Sequence, residues 1–462
     1  MAEAPRILIV GGGCAGMHVA LRLQRRLRRG EAEVTVVDPR SYLTYQPLLA
    51  EAAAGSLEPR HVVVPLRQAL PRTRVVTRAV ASIDHSRRVA VLEPCCPQTA
   101  DAADGTAVQL EYDVLVLAPG SVSWVLPVPG LAESGVGFKT VGEAIHLRNH
   151  VLAQLDAAAA LPPGPARRAA LTFVFVGGGY AGVEALAELA DMARAACTRY
   201  PEIDPAALRW VLVEAADRIL PEVGERMGRY TVQRLRARGI EVRLRTRLVC
   251  AHDGHLVFDD GEELDARTLV WTAGVAPHPL VKQTSLPLDE RGRVRATEFL
   301  TVVGTPDAWT LGDAAAVPDL TRGDGALCAP SAQHAVRQAR VLADNVVATL
   351  RGRELHAYRH AHAGSVASLG LYRGVAQIYG VRMHGPLAWF VHRTYHLAKL
   401  PTLNRRLRVL ADWTLALLFP REIVSLGALE HTRADFEAAA AHCPHPRRPP
   451  ATGGDPSPRA PI

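Results

Sequence analysis

Lysine is scarce in this 462-residue chain, standing only at 139, 282 and 399, so the formal charge of +7 is carried by arginine. With so much alanine beside it, the bias reads as the mark of a GC-rich coding sequence rather than of a function. Aromatic residues amount to 5 % and form no ladder with basic ones, so no nucleic-acid partner is expected. No run of eighteen apolar residues exists, which excludes a helix that spans a bilayer. The seven cysteines (14, 95, 96, 197, 250, 328 and 443) are odd in number and show no Cys-x-x-Cys spacing. A disulfide framework or a metal site is therefore not expected, and a reducing cytoplasm is the default. The chain enters its first strand within a few residues of Met1, so no signal peptide is expected. At 48 % apolar and 21 % charged residues, the composition is globular, and the length suits two or three domains with substantial cores.

Two glycine-rich stretches each close a short apolar strand and open a helix: Arg6-Ile-Leu-Ile-Val-Gly-Gly-Gly-Cys-Ala-Gly16 and Leu171-Thr-Phe-Val-Phe-Val-Gly-Gly-Gly-Tyr-Ala-Gly182. Each has the three-glycine spacing of a dinucleotide loop, at Gly11, Gly13 and Gly16 and again at Gly177, Gly179 and Gly182. In such loops the first glycine makes the turn, the second admits a pyrophosphate, and the third lets helix and strand pack closely. The phosphates rest on free N–H groups at the positive end of the helix dipole, in the first loop beside Ala15. Each unit continues into a second apolar strand that ends in an acid, Asp38 or Glu214, placed to hold an adenosine ribose. Two such units imply a flavin enzyme that takes electrons from a nicotinamide.

Short strands follow over residues 74–117, broken by the polar stretch 97–106, and the last of them ends at Ala118-Pro-Gly120-Ser121. A helix is expected near 142–160. The second unit continues through Glu241-Val-Arg-Leu and Thr268-Leu-Val-Trp-Thr-Ala-Gly274, and the chain then returns to the first domain at Ala308-Trp-Thr-Leu-Gly312-Asp313. A long helix is expected over 331–350. The expected fold is α/β, with two Rossmann-like dinucleotide-binding domains, the first interrupted by the second, and a C-terminal amphipathic helical region. Its expected parts are 1–140 and 299–362 for FAD, 141–298 for NAD, a membrane-association or interface region over 363–430, and a disordered tail over 431–462.

This order of motifs resembles the two-dinucleotide-binding-domain flavoproteins of the pyridine nucleotide-disulfide reductase superfamily, over nearly the whole chain before the tail. Within it the chain looks like a type II NADH dehydrogenase, the single-subunit NADH:quinone oxidoreductase. Three stretches carry that likeness: Tyr45-Gln-Pro-Leu-Leu49, Ala329-Pro-Ser-Ala-Gln-His-Ala335, and a pair of basic amphipathic segments near the C-terminus. Relatives often have Phe in place of Tyr45, and Pro-Pro-Thr-Ala-Gln in place of residues 329–333. The resemblance implies FAD at the first loop, with Gln46, Ala118, Gly120, Gly312, Asp313 and Ala332 around it, and NAD(H) at the second, with Gly274 closing the site. It implies a membrane quinone as acceptor and no proton pumping. Glu184 matches a carboxylate at the flavin–nicotinamide contact, where it orients the carboxamide or relays a proton; alternatively it only favours its helix dipole. Gln333 matches a quinone-pocket residue; alternatively it caps its helix. The disulfide branch places a Cys-x4-Cys pair just after the first ribose acid. Residues 41–55 contain no cysteine, so the acceptor is expected to meet the flavin directly.

Residues 386–400 and 404–419 read as amphipathic helices. From 385 to 421 there are six Lys/Arg, at 393, 399, 405, 406, 408 and 421, against the single acid Asp412. Basic helices with Trp, Phe and Leu lie in the headgroup plane, so this piece is expected to dock on an anionic membrane surface, with Trp389, Phe390, Trp413 and Phe419 on its apolar face. Packing on the FAD domain or a homodimer interface remains open beside that reading. The expected location is the cytoplasmic face of the cell membrane. A sulfide:quinone oxidoreductase (with Cys197 and Cys328 as its thiols) and a soluble ferredoxin-type reductase are the alternatives within the fold. A non-enzymatic NAD(H)-binding sensor or scaffold is the alternative outside it.

Overall fold

The computed structural model describes residues 3–94, 108–323, 325–361, 364–425 and 437. Cys95, Cys96, the stretch 97–106, Cys443 and, apart from residue 437, the expected tail lie outside the described residues. Two five-stranded parallel sheets carry the architecture. In the first, the order is Ala308–Thr310, Val114–Leu117, Arg6–Val10, Glu33–Asp38, Arg74–Thr77. In the second it is Gly135–Gly137, Thr268–Trp271, Thr172–Val176, Arg209–Glu214, Ile240–Leu244. In both, the strand that feeds a glycine loop lies in the middle. These central strands are near-continuous β-branched and apolar runs because both faces are covered: Ile7 and Ile9 enter one core, Leu8 and Val10 another.

The first sheet draws strands from both sides of the second in sequence. An antiparallel pair, Ser121–Ser123 with Val275–Pro277, links the two units. The helix Val141–Ala160 begins at a full capping box: the Thr140 hydroxyl accepts from the Glu143 N–H, and the Glu143 carboxylate accepts from the Thr140 N–H. That reciprocal pairing satisfies two donors the helix itself leaves free. The long helix Ala332–Leu350 packs on Cys14–Arg26, the helix opened by the first loop.

Past residue 363 the sequence reading resolved only helices. The chain first forms an antiparallel sheet of Gly364–Ser368, Gly374–Ile378 and Val381–His384, then the helices Pro386–Lys399 and Leu403–Leu418. Those strands are only four or five residues long and two of them start at glycines, so they lack the longer alternation that marks a strand in sequence. The strand Val80–Asp84, in an antiparallel sheet with Val89–Leu92 and Gln109–Glu111, was likewise not legible.

Candidate functional site

The two glycine loops are geometric copies. Gly11 and Gly177 adopt φ of +102° and +115°, a region open to glycine at no steric cost, and their N–H groups donate to Val37 O and Val213 O, each at 2.8 Å. A Cβ on Gly11 would strike the Ala118 carbonyl; one on Gly177 would strike that of Thr272. A Cβ on Gly16 would strike the carbonyl of Gly11, and one on Gly182 that of Gly177. Gly13 and Gly179, in contrast, face open space and stand at helix N-caps that carry no side-chain cap. An uncapped helix start with room above it leaves several N–H groups for an anion. Both loops therefore fit a pyrophosphate.

The acids at the strand ends serve the loops first. Asp38 accepts from Gly12 N at 2.8 Å and Arg40 N at 2.7 Å. Glu214 accepts from Gly178 N at 2.6 Å and Ala216 N at 2.8 Å. Asp38 is buried and Glu214 half-buried, so the second acid is the more open to a ligand hydroxyl.

Gly312 and Asp313 lie against the first loop, where a Cβ on Gly312 would stand 3.3 Å from that of Ala15. Asp313 accepts from Ser121 Oγ at 2.6 Å, and Ser121 accepts from Lys139 Nζ at 2.8 Å. Burial lowers the Lys139 ammonium, partly offset by Asp313 and Glu143. Lys139 was missed in the sequence, although a lone lysine just before a Thr-x-x-Glu helix start was there to notice. Its carbonyl accepts from Gln46 Nε2 at 3.1 Å.

One cavity gathers Gln46, Lys139, Glu184, Thr272 and Gly274. It thus joins the segment after Tyr45, the domain crossover, and the helix and strand end of the second unit. Glu184 sits in this wall without serving as a helix-start acid: Oε1 accepts from Ser368 N at 2.8 Å and lies 3.2 Å from His392 Nε2. Gln333 and Ala332 are outside that lining. Capping is not what Gln333 does, because Ser331 caps the helix by accepting from His334 N. The Gln333 amide instead donates to Gly364 O at 3.2 Å and meets His360 Nε2 at 3.0 Å.

The C-terminal helices are built into the protein through a buried polar seam. Glu184, Glu188 and Asp191 form one stripe of the helix Tyr180–Ala196, as successive i, i+4 and i, i+3 spacings require. Glu188 pairs with Arg421 at 3.1 Å and Asp191 with Arg238 at 2.5 Å. Glu51, 2 % exposed, accepts from Arg393 at 2.8 Å and from Trp413 Nε1 at 2.7 Å. The Arg393 guanidinium also lies 4.0 Å from the Trp389 ring centre and 4.8 Å from that of Trp413.

Two expectations for the membrane face are corrected by this seam. Trp389 and Trp413 turn inward, held by the buried pair, while Phe390 and Phe419 are exposed. Of the six basic residues, Arg393 and Arg421 are committed to buried acids, which leaves Lys399, Arg405, Arg406 and Arg408. The outer apolar stripe is formed mainly by leucines: Leu387 with Phe390 on one helix, and Leu403, Leu407, Leu410, Leu417 and Leu418 on the next. Among the described residues, no helix is long and apolar enough to cross a membrane.

Two matched phosphate loops at the ends of two parallel sheets, with a cavity between the units that carry them, define a protein of the two-dinucleotide-binding-domain class. The chain belongs to the pyridine nucleotide-disulphide oxidoreductase family, whose model matches residues 5–339. It is 26 % identical over 428 residues to the type II NADH:quinone oxidoreductase Ndh of Mycobacterium tuberculosis, covering 90 % of this chain and 89 % of the relative. It is 29 % identical over 396 residues to a type II NADH:quinone oxidoreductase of Staphylococcus aureus, covering 85 % and 94 %. The solved structure of NDH2 from Plasmodium falciparum in complex with NADH superposes with a TM-score of 0.82 at 17 % identity, covering 91 % of this chain and 99 % of the other.

Proposed function

We propose that this chain is an FAD-dependent oxidoreductase that takes electrons from NADH and passes them to a membrane quinone, as a type II NADH:quinone oxidoreductase without a proton pump. The observation that carries the reading is the pair of matched loops flanking one cavity, with no cysteine in the flavin-facing stretch 41–55. When bound, FAD supplies a two-electron carrier between a hydride donor and the acceptor. Gly11, Gly13, Ala15, Gly16 and Asp38 hold it at the phosphate end, with Ala118, Gly120 and Asp313 beside them; Gln46 and Ala332 approach its ring. Gly177, Gly179, Gly182 and Glu214 hold NADH, and Gly274 lets the nicotinamide end come close. Glu184 presents a carboxylate to the cavity, where it orients the carboxamide or carries a proton. Gln333, fixed by Gly364 and His360, is the residue we assign to the quinone.

The thiols do not favour the sulfide alternative. Cys197 follows the C-terminal end of the helix Tyr180–Ala196, about 25 Å from its glycine loop at 1.5 Å per residue. Burial pushes the Cys328 thiol up to about 11, away from the thiolate that sulfide chemistry needs. The deciding experiment is anaerobic reduction of the purified flavoprotein by NADH, followed by reoxidation with quinones and, in parallel, an attempt at reduction by sulfide. Flavin bleached by sulfide but not by NADH overturns the proposal.

Glu214 also sets an expectation for the donor. An acid at the ribose repels a 2′-phosphate, so NADH should exceed NADPH in kcat/KM by about tenfold or more, roughly 1.4 kcal/mol. Equal use of both would shift attention to Arg218, which is exposed four residues on.

Docking on a membrane through residues 385–421 is assigned to the outward leucine stripe and the four basic residues that meet no acid among the described residues. Truncation cannot test it, since removal of residues 385–421 would strip Glu51, Glu184 and Glu188 of the arginines and histidine they meet. Phe390→Glu with Leu407→Glu changes only exposed positions. The pair should lower binding to anionic vesicles by roughly 100-fold or more, because each large apolar side chain contributes about 1.5–3 kcal/mol on burial. Unaltered sedimentation with those vesicles would remove the anchor and leave the helices as packing elements.

A further inference from the structure

The seam under the C-terminal helices treats its acids unequally. Glu51, Glu188 and Asp191 each meet an arginine, a cation that does not release its proton in proteins. Glu184, the one of the four that lines the cavity, meets an imidazole. His392 is 1 % exposed, and neither ring nitrogen has a well-aligned hydrogen bond among the described residues, so Nε2 meets Glu184 as an ion-pair contact at 3.2 Å. It stands one helical turn before His396, so the two rings share a face and meet edge-on with centroids 4.5 Å apart. His396 Nδ1 in turn lies 3.2 Å from the hydroxyl of Tyr45, the residue just before the cavity-lining Gln46. Tyr45 and His396 are half-buried whereas His392 is sealed, so the file runs inward from the partly open end to the cavity.

The balance of the proposed reaction calls for a proton, and this chain offers a file whose outer hydroxyl is absent from relatives with Phe at position 45. NADH gives up two electrons and one proton as a hydride; a quinone that becomes a quinol takes two electrons and two protons. One proton per turnover therefore enters from solvent. We infer that Tyr45, His396 and His392 are its route, delivering it to Glu184 at the cavity wall. The inference rests on the NADH:quinone reading above. Each step breaks one O–H or N–H bond and forms another, the His392 ring turning to take the proton from His396, which it meets edge-on without a hydrogen bond. The file returns to its starting state when solvent reprotonates the outer end. The three residues act through Glu184 and are positioning and proton-holding residues.

The surroundings of His392 suit that task. Burial disfavours its charge, but Glu184 beside it, with Glu51 and Glu188 behind, outweighs burial and raises it above free imidazole. Arg393 and Arg421 are already committed to Glu51 and Glu188. His396 is driven well below the usual range by burial and by the neighbouring His392, and burial raises Tyr45. The proton thus has a charged resting place at His392 and neutral carriers outside it. Because the folded value of His392 is raised, its cation is present below that value and lost as pH climbs through it.

The test separates the two half-reactions by stopped flow on the intact holoenzyme. NADH-reduced enzyme is mixed anaerobically with a short-tailed quinone from pH 6 to 9, in H2O and in D2O. In wild type, reoxidation should slow as pH rises through the His392 value and should be slower in D2O. Tyr45→Phe and His392→Gln should each slow reoxidation roughly 10–100-fold, the scale of a lost proton-transfer group, and flatten that pH limb. Imidazole added to His392→Ala should restore part of the rate, which a purely structural role would not allow. Tyr45→Phe removes a single hydroxyl, so it remains informative if the histidine variants do not fold. Wild-type rates, pH limb and isotope effect in Tyr45→Phe, together with no imidazole rescue where His392→Ala folds, overturn the route. Reduced wild-type enzyme that no quinone reoxidises overturns the reading beneath it instead.

Discussion

Replacing Gly177 by alanine is expected to leave the flavin bound and to abolish its reduction by NADH, while replacing Gly11 by alanine is expected to give protein without flavin. The two glycines perform the same turn in the two loops, at φ of +102° for Gly11 and +115° for Gly177. Alanine in such a conformation costs about 1–3 kcal/mol before any contact is considered. Here the added methyl would also press on the carbonyl of Ala118 or Thr272, the residue after the neighbouring strand. Relief requires the loop to move off its strand, and the N–H groups that face the phosphates move with it. A displacement of that kind should lower the rate of flavin reduction in Gly177→Ala by about 100-fold or more, roughly 3 kcal/mol. Flavin absorbance of the purified variants and the rate of bleaching by NADH read the two effects separately. If both variants lost flavin, or both kept it and were reduced normally, the assignment of the first loop to FAD and the second to NADH would be wrong.

Arg393→Met should lower stability by about 3–5 kcal/mol, the cost of leaving one partner of a buried ion pair alone. Glu51 is 2 % exposed and its carboxylate would keep only the indole N–H of Trp413. The lost guanidinium also lies between the two tryptophan rings, so packing suffers with charge. The double variant Glu51→Met with Arg393→Met should recover most of the loss, because two apolar groups of similar volume have no charge to desolvate. Denaturant unfolding of the two variants checks both statements. A single variant within 1 kcal/mol of wild type would mean that water reaches Glu51. In that case the helices would be less firmly seated on the helix Leu49–Ala53 than these contacts imply.

The loops were legible because a dinucleotide turn is local. Three glycines, an apolar strand and an acid at the next strand end occupy one stretch of chain, and each is required by sterics within that stretch. The helix Val141–Ala160, expected near 142–160, is likewise a local feature, although its capping box was seen only in the structure. Gln46, Glu184 and Gly274 were named from separate motifs, yet that they share one cavity depends on three segments far apart in sequence. Lys139 escaped notice because its role depends on Ser121 and Asp313, which stand 18 and 174 residues away. The same holds for Trp389 and Trp413. Amphipathic spacing shows that a helix has an apolar face, but it does not say whether that face meets lipid or protein, and a tryptophan suits either.

By itself, then, the sequence determined the two nucleotide-binding units, their interrupted order, the absence of a flavin-facing dithiol and the presence of two basic amphipathic helices. Each of these is written in short-range spacing or in the simple lack of a residue type. Only the tertiary structure decided which faces of those helices turn inward, and that Arg393 and Arg421 answer buried acids rather than a membrane. It also decided that Glu184 is partnered by a histidine. The physical reason is that the partner of a buried charge is chosen by proximity in three dimensions. A carboxylate on one helix carries no local mark of the arginine or imidazole that a helix some 200 residues later will bring to it.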